Sequence, residues 1–303
     1  NEFAISSALT FPKMLLIPGN WKTHPTIPST EIALSYNYQN RPEYTRNILS
    51  SSFGYIWSTN TRLSSQLNPI LLSITKMFDM DPSFYENLTS SYLRYQYQDH
   101  FDLGASATFY YTTNPKVMPK ESYFYMRYDV SAAGDVLSLA GNVFGSIFPT
   151  NSNWERLSWN IPFSQYFRNQ ITLVETLRFG KEQQYALAGR FLGGIGLAHG
   201  NSHSLPLEQM FYAGGANSMR GWQSRTVGPG KSPLDSTFAI FNQTGDMRLE
   251  ANIEFRFPLG RKLQGVLFTD VGNVWNLPKK GMENDAAYQL SVFSLKTLAE
   301  STA

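Results

Sequence analysis

The sequence contains no cysteine, only four histidines, and charged residues at just 16% of its 303 positions, where soluble domains average about 25% charged. Without thiols there is no cysteine nucleophile, and a chain crossing an oxidising compartment has nothing to mispair. No run approaches the roughly 18 to 20 consecutive apolar residues that a membrane-spanning helix requires, so a helical membrane protein is excluded. A spanning β-barrel is not excluded, because its strands are only about 10 residues long and half their positions face a polar lumen. The opening NEFAISSALT lacks the basic start and apolar core of a signal peptide.

Other absences narrow the function. The net charge is +2 with no basic stripe, so nucleic acid is not an expected partner. There is no phosphate loop and no serine nucleophile elbow. His199 and His203 have the spacing of two metal ligands on a helix, but they sit in a Gly/Asn/Ser/Pro loop, where no metal site is expected. Asp99-His100 resembles an acid–base pair, yet adjacent strand residues point to opposite faces, and a surface role is expected. Gly193-Gly194 and Gly196 lie in a strand pattern with no following helix, which argues against a dinucleotide site. No catalytic or cofactor motif is legible in these residues, and no cofactor is expected.

What the sequence does have is alternation. Met247 to Phe257, MRLEANIEFRF, places Met247, Leu249, Ala251, Ile253, Phe255 and Phe257 on one face and Arg248, Glu250, Asn252, Glu254 and Arg256 on the other. Glu31–Gln39, Leu93–Gln98, Tyr185–Leu197 and Phe3–Phe11 follow the same rule, with Phe3, Ile5, Leu9 and Phe11 on one side of the first of these strands. Turn-forming stretches separate them: Pro25–Pro28, Asn114-Pro115, Pro149–Asn153, His199–Pro206, Gly228–Gly230 and Pro278–Gly281. No helical pattern of useful length and no domain boundary interrupts residues 1–303. At about 20 to 24 residues per strand and turn, the chain supplies roughly 12 to 14 strands. A soluble sandwich turns the apolar faces inward; a membrane barrel turns them to lipid. Aromatic residues at 15%, many of them at strand ends, favour the barrel.

One segment breaks the rhythm. Phe211 to Gly230, FYAGGANSMRGWQSRTVGPG, presents Arg220 among glycines and small residues. It resembles the lumenal loop of the BamA/TamA superfamily of outer-membrane insertases, whose Arg-Gly-aromatic motif is here Arg220-Gly221-Trp222. GDMRLEANIEFRFPLG (245–260) and VLFTDVGNVW (266–275) look like the family's next two strands, in order. GNSHSLPLEQMFYAGGANS and TEIALSYNYQNRPEYTR look most like the TamA-like branch called TamL. The resemblance implies an all-β transmembrane antiparallel barrel of about sixteen strands in the bacterial outer membrane.

It also implies a role in protein assembly or translocation there. Substrate barrels or secreted segments would enter at a seam, without nucleotide hydrolysis or any other chemical step, so the resemblance implies a protein that is not an enzyme; the strand carrying Phe3, Ile5, Leu9 and Phe11 would form one seam edge. The bilayer and a periplasmic TamB-like protein are the implied partners. A passive pore or uptake channel is the alternative function. In the family the arginine reaches the acids that correspond here to Glu254 and Asp270. An arginine inside a barrel requires such carboxylates, and Gly214 and Gly215, with Gly221, let the loop turn sharply. Glu250 is expected to be a solvated lumenal charge, and Gly272 to ease packing against the loop. The family's POTRA domains are not seen before Asn1, and SLKTLAESTA is not a terminal aromatic strand. The expectation is a barrel domain over 1–303, incomplete at its C-terminus by roughly three strands.

Overall fold

A computed structural model describes residues 2–17, 26–87, 94–95, 97–117, 119–144, 148–152, 155–233, 243–260 and 263–294. It holds twelve strands among the described residues: β1 (Glu2–Phe11), β2 (Ser29–Asn40), β3 (Thr45–Ser58), β4 (Leu63–Phe78), β5 (His100–Thr112), β6 (Tyr123–Ala133), β7 (Leu157–Ser158), β8 (Ile161–Pro162), β9 (Tyr166–Phe179), β10 (Tyr185–Ala198), β11 (Met247–Pro258) and β12 (Gln264–Trp275). β7 and β8 pair only with each other. The other ten form one sheet in the order β1-β2-β3-β4-β5-β6-β9-β10-β11-β12, with antiparallel pairing throughout. Next-door pairing of consecutive strands is the up-and-down order of a barrel wall.

The two faces of this wall are inside out relative to a soluble protein. On β11, Ile253 is 56% exposed while Glu250 is 1% exposed. Phe3, Ile5, Leu9, Leu187, Phe191 and Leu267 are likewise exposed on the outer face. Near one rim, Phe179, Tyr185, Phe255 and Phe257 stack across β9, β10 and β11 with neighbouring ring centroids 5.6–6.4 Å apart. A row of rings at a strand end is the form taken by the aromatic girdle where lipid meets water. Connections 59–62, 180–184 and 259–263, with the longer 12–28 and 113–122, leave this rim, whereas 79–99, 134–165 and 199–246, with the short 41–44, leave the opposite rim. Bacterial barrels keep short turns on the periplasmic side and long loops outside the cell.

The inner wall differs along its circumference. Beside β2 to β6 lies a cavity of about 320 Å³, bounded by small residues such as Ser35, Ser50, Ser73, Gly104, Ser131 and Ala133 together with Asp102, Tyr166 and Glu208. From β9 to β12 the wall presents charged side chains and carries the long connection 199–246.

The stretch 93–98 departs from the expected strand. Leu93 and Gln96 lie outside the described residues, and the rest of the stretch joins no sheet. Tyr97 turns into an apolar cluster with Phe84, Leu205 and Met210. Six alternating residues are too few to outweigh that burial. Asp135–Val143 is a helix, and two shorter helices span Pro82–Asn87 and Ala286–Ser291.

Candidate functional site: a tongue held against the inner wall

The connection after β10 returns towards the wall as a tongue. Its base is closed by paired main-chain bonds between Phe211 and Gly245, each 2.9 Å, and by the Arg225 N–H donating to the Ala213 carbonyl at 3.0 Å. Phe211, Ala213, Met219 and Val227 form its own small core against Val274. The chain reverses at glycines in the left-handed region: Gly214 at φ +102°, Gly215 at +101° and Gly221 at +86°. At Gly214 a Cβ would stand 2.0 Å from the Gln223 carbonyl oxygen, so both space and φ require glycine there.

At the tip, Arg220 meets the wall. Its Nε donates to Asp270 Oδ2 at 2.7 Å and its Nη2 to Asp270 Oδ1 at 2.5 Å. The Arg220 main-chain N–H donates to Asp270 Oδ2 at 3.0 Å. Nη1 is bonded to Glu254, which in turn accepts from Arg256. The guanidinium carbon lies 3.8 Å from the Phe268 ring centroid. This is a bidentate fork with a second acid and an aromatic floor, a geometry lysine cannot reproduce. Trp222 stands apart from it: its main chain closes the turn by accepting from Gly215 N–H at 2.9 Å, while its indole is exposed. Phe3, Ile5, Leu9 and Phe11 sit on the outward face of β1, at the far edge of the sheet order, and β1 pairs with β2 alone among the described residues.

A second contact corrects the reading of Glu250 as a solvated charge. Its side chain is fully enclosed and bonded to both Arg190 and Arg248. Ser218 on the tongue donates to Glu250 Oε2 at 2.8 Å and accepts from Arg248 Nη2 at 3.0 Å. The tongue's carbonyls also take part: Asn217 accepts from Arg190 Nη1 at 2.7 Å, and Ser218 accepts from Asn252 Nδ2 at 2.9 Å. Ser218 carried no signal beyond its place two residues before Arg220. Glu250 was visible only as one polar member of an alternating strand. The tongue itself removes water from that wall.

Gly272 also differs from expectation. The atoms nearest its missing Cβ belong to the β11 main chain, with the Leu249 carbonyl at 2.8 Å, and not to the loop. Two inward glycines of β10 serve the connection instead. A Cβ at Gly194 would lie 2.4 Å from the Phe211 ring, and one at Gly196 would lie 2.4 Å from Leu205.

Near the root of the connection, Glu208 links three distant segments. It pairs with Arg46 Nη1 at 2.5 Å and with His100 Nε2 at 3.1 Å. His100 is thus enclosed and inward, not on the surface, and Asp99 instead accepts from the Met77 main chain at 2.8 Å. The Glu208 side chain is only 22% accessible. Burial alone pushes its carboxyl up, but the charges on His100 and Arg46, with the His100 hydrogen bond, outweigh this and hold it down at about 2. The loop histidines go separate ways: His199 Nε2 lies 2.9 Å from Asp135, and His203 lies against the Tyr95 ring.

Comparisons with known proteins agree with this architecture. A model of the Omp85 superfamily domain matches residues 20–294. The outer membrane protein assembly factor BamA of Neisseria meningitidis serogroup B is 32% identical over 93 residues, which is 28% of this chain and 11% of that protein. The crystal structure of BamA from Haemophilus ducreyi lacking POTRA domains 1-3 superposes with a TM-score of 0.66 at 14% identity, covering 99% of this chain and 53% of that one. The chain thus spans about half of the solved relative and a small part of the curated one. With a family model over nearly its whole length, an inside-out antiparallel wall and a matching solved fold, the chain belongs to the Omp85 superfamily and is a β-barrel of the bacterial outer membrane.

Proposed function

We propose that this barrel assembles proteins at the outer membrane, inserting β-barrel substrates or passing secreted segments at a seam between its first and last strands. The observation that carries this reading is the tongue tip, where Arg220 is shared between Asp270 and Glu254. A loop that only narrowed a pore has no need of a bidentate fork on one strand and a second acid on the next. The fork sets the tongue's angle as well as its position, so the tongue acts as a brace for β11 and β12. β1 supports the seam. Its far edge has no partner strand among the described residues, and an unpaired strand edge is a template for an added strand. Strand addition consumes no nucleotide and breaks no covalent bond, so the protein works without enzymatic chemistry. A periplasmic TamB-like partner belongs to the same proposal.

The passive-pore reading draws on the lumenal cavities, including one of about 340 Å³ beside Arg190, Arg220 and Arg256. The two readings part on charge exchange. Arg220→Glu is expected to impair outer-membrane assembly of reporter barrels, and adding Glu254→Arg to restore it in part. Normal assembly by both single variants removes the brace from the mechanism. Single-channel recordings of Arg220→Ala give the second arm: erratic gating is expected of a released tongue, and an unchanged trace favours the plain pore.

A further inference from the structure

Part of the connection 134–165 packs on the outward side of β4 and β5. Phe101 alternates with the inward His100 and Asp102 and is paired in register with Ile74, so both of these apolar side chains face away from the lumen. Ile161, Phe163, Leu137 and Phe148 pack against them in one apolar cluster. Phe163 joins the free flank of β5 through a bridge to Phe101, and Ser164 N–H donates to the Phe101 carbonyl at 2.9 Å. This layer carries the helix Asp135–Val143. Leu137 belongs to the cluster, Gly141 lies against the Phe148 ring, and Arg156 donates to the Ser138 carbonyl at 3.3 Å and to Asn142 Oδ1 at 2.9 Å.

The helix therefore has one face fixed to the barrel, and its other face is apolar. Val136, Leu139 and Val143 follow the i, i+3, i+7 spacing of a single helical face. Together with Phe144 they are 63–72% exposed. Trp159 is 72% exposed, with its ring edge on Phe101 at 5.3 Å. No charged residue occurs from Val136 to Phe144. The patch overlies the outward-facing Phe101, which is covered to 3% exposure, and it lies at the rim of the long connections.

We propose that this helix, with Phe144 and Trp159, is an interfacial element whose partner is the bilayer itself, at the boundary between headgroups and acyl chains of the outer leaflet. An amphipathic helix lying in that plane buries its apolar face, and a tryptophan is favoured at the same depth. Because the exposed face has no charge, the attraction is apolar, and it does not depend on anionic lipid.

The absence of cysteine allows a clean test. Leu139→Cys, Val143→Cys and, as a water-side control at an exposed loop, Glu283→Cys are each labelled with a polarity-sensitive fluorophore in the chain inserted into phosphatidylcholine vesicles. Heat-modifiable mobility checks that each is folded. Labels at positions 139 and 143 are expected to be quenched at least about twofold more by lipids with a nitroxide near the headgroup than by aqueous iodide. The label at 283 should show the reverse. Adding anionic lipid or salt is expected to change neither. Iodide quenching at 139 and 143 equal to that at 283 overturns the proposal. So does a label that becomes shielded only when outer-membrane proteins are added, since that makes the partner a protein.

Discussion

Arg220 and Glu208 are both charged residues of the same connection, but only one of them was legible beforehand. Arg220 stands in a glycine-rich segment followed by two ordered strand motifs, and the family resemblance carried by those motifs pointed to Glu254 and Asp270 as its acids. Glu208 meets Arg46 across 162 positions, and no period or motif links a loop glutamate to the starts of β3 and β5. His100 was misjudged for the same reason: the alternation fixed that it and Asp99 face opposite ways, but not which way was in. The Glu208 contact has a pH signature. Its carboxyl is depressed from the ordinary 4.5 to about 2, so its stabilising effect is complete above pH 4.5 and is lost as pH falls towards 2. Thermal melts in detergent micelles should show wild type above Glu208→Gln at pH 6, with the gap closing below pH 4.5. A gap that stays constant down to the lower value means that the ion pairs do not hold the root of the tongue.

Among elements, β10 shows how a strand is shaped by what lies on it. Its inward glycines were read only as evidence against a dinucleotide site. Their use is to give room, because the tongue approaches closer than any Cβ permits. Phe211 cannot step aside: its ring is buried, the Arg168 guanidinium sits 4.2 Å from its centroid, and its main chain is tied to Gly245. Gly194→Leu is therefore an overpacking change, with a cost of about 1–3 kcal/mol. Limited trypsin digestion is the check. Cleavage after Arg220 and Arg225 should accelerate while the barrel stays heat-modifiable. Unchanged cleavage shows that the tongue lies more loosely than its packing indicates. Four wall strands were readable from a period of two: β1, β2, β10 and β11 fall within a residue or two of the alternating segments. β12 was placed by the family resemblance alone, and β3, β4, β5, β6 and β9 were not singled out. Nor was the helix Asp135–Val143, since a single nine-residue stretch gives its apolar spacing little room to repeat.

For the whole molecule, the deciding fact is the direction in which the apolar faces point. Alternation alone is symmetric between a dry interior and a lipid exterior. Resemblance and aromatic content favoured the second, and it is the arrangement found, with Ile253 exposed beside the enclosed Glu250. Ile253 lies midway along β11, so an arginine there faces hydrocarbon. Ile253→Arg is expected to cost about 2–4 kcal/mol of stability in vesicles, read from urea titrations of the inserted protein. A change near zero places that position away from the middle of the bilayer.

The cavity of about 320 Å³ beside β2 to β6 is lined by serines and alanines, but Glu208 and Asp102 also border it. Glu208 is the same carboxylate that ties the root of the tongue's connection to Arg46 and His100. The loss of one charge there is therefore felt twice, in the anchoring of the connection and in the polarity of the open volume beside it.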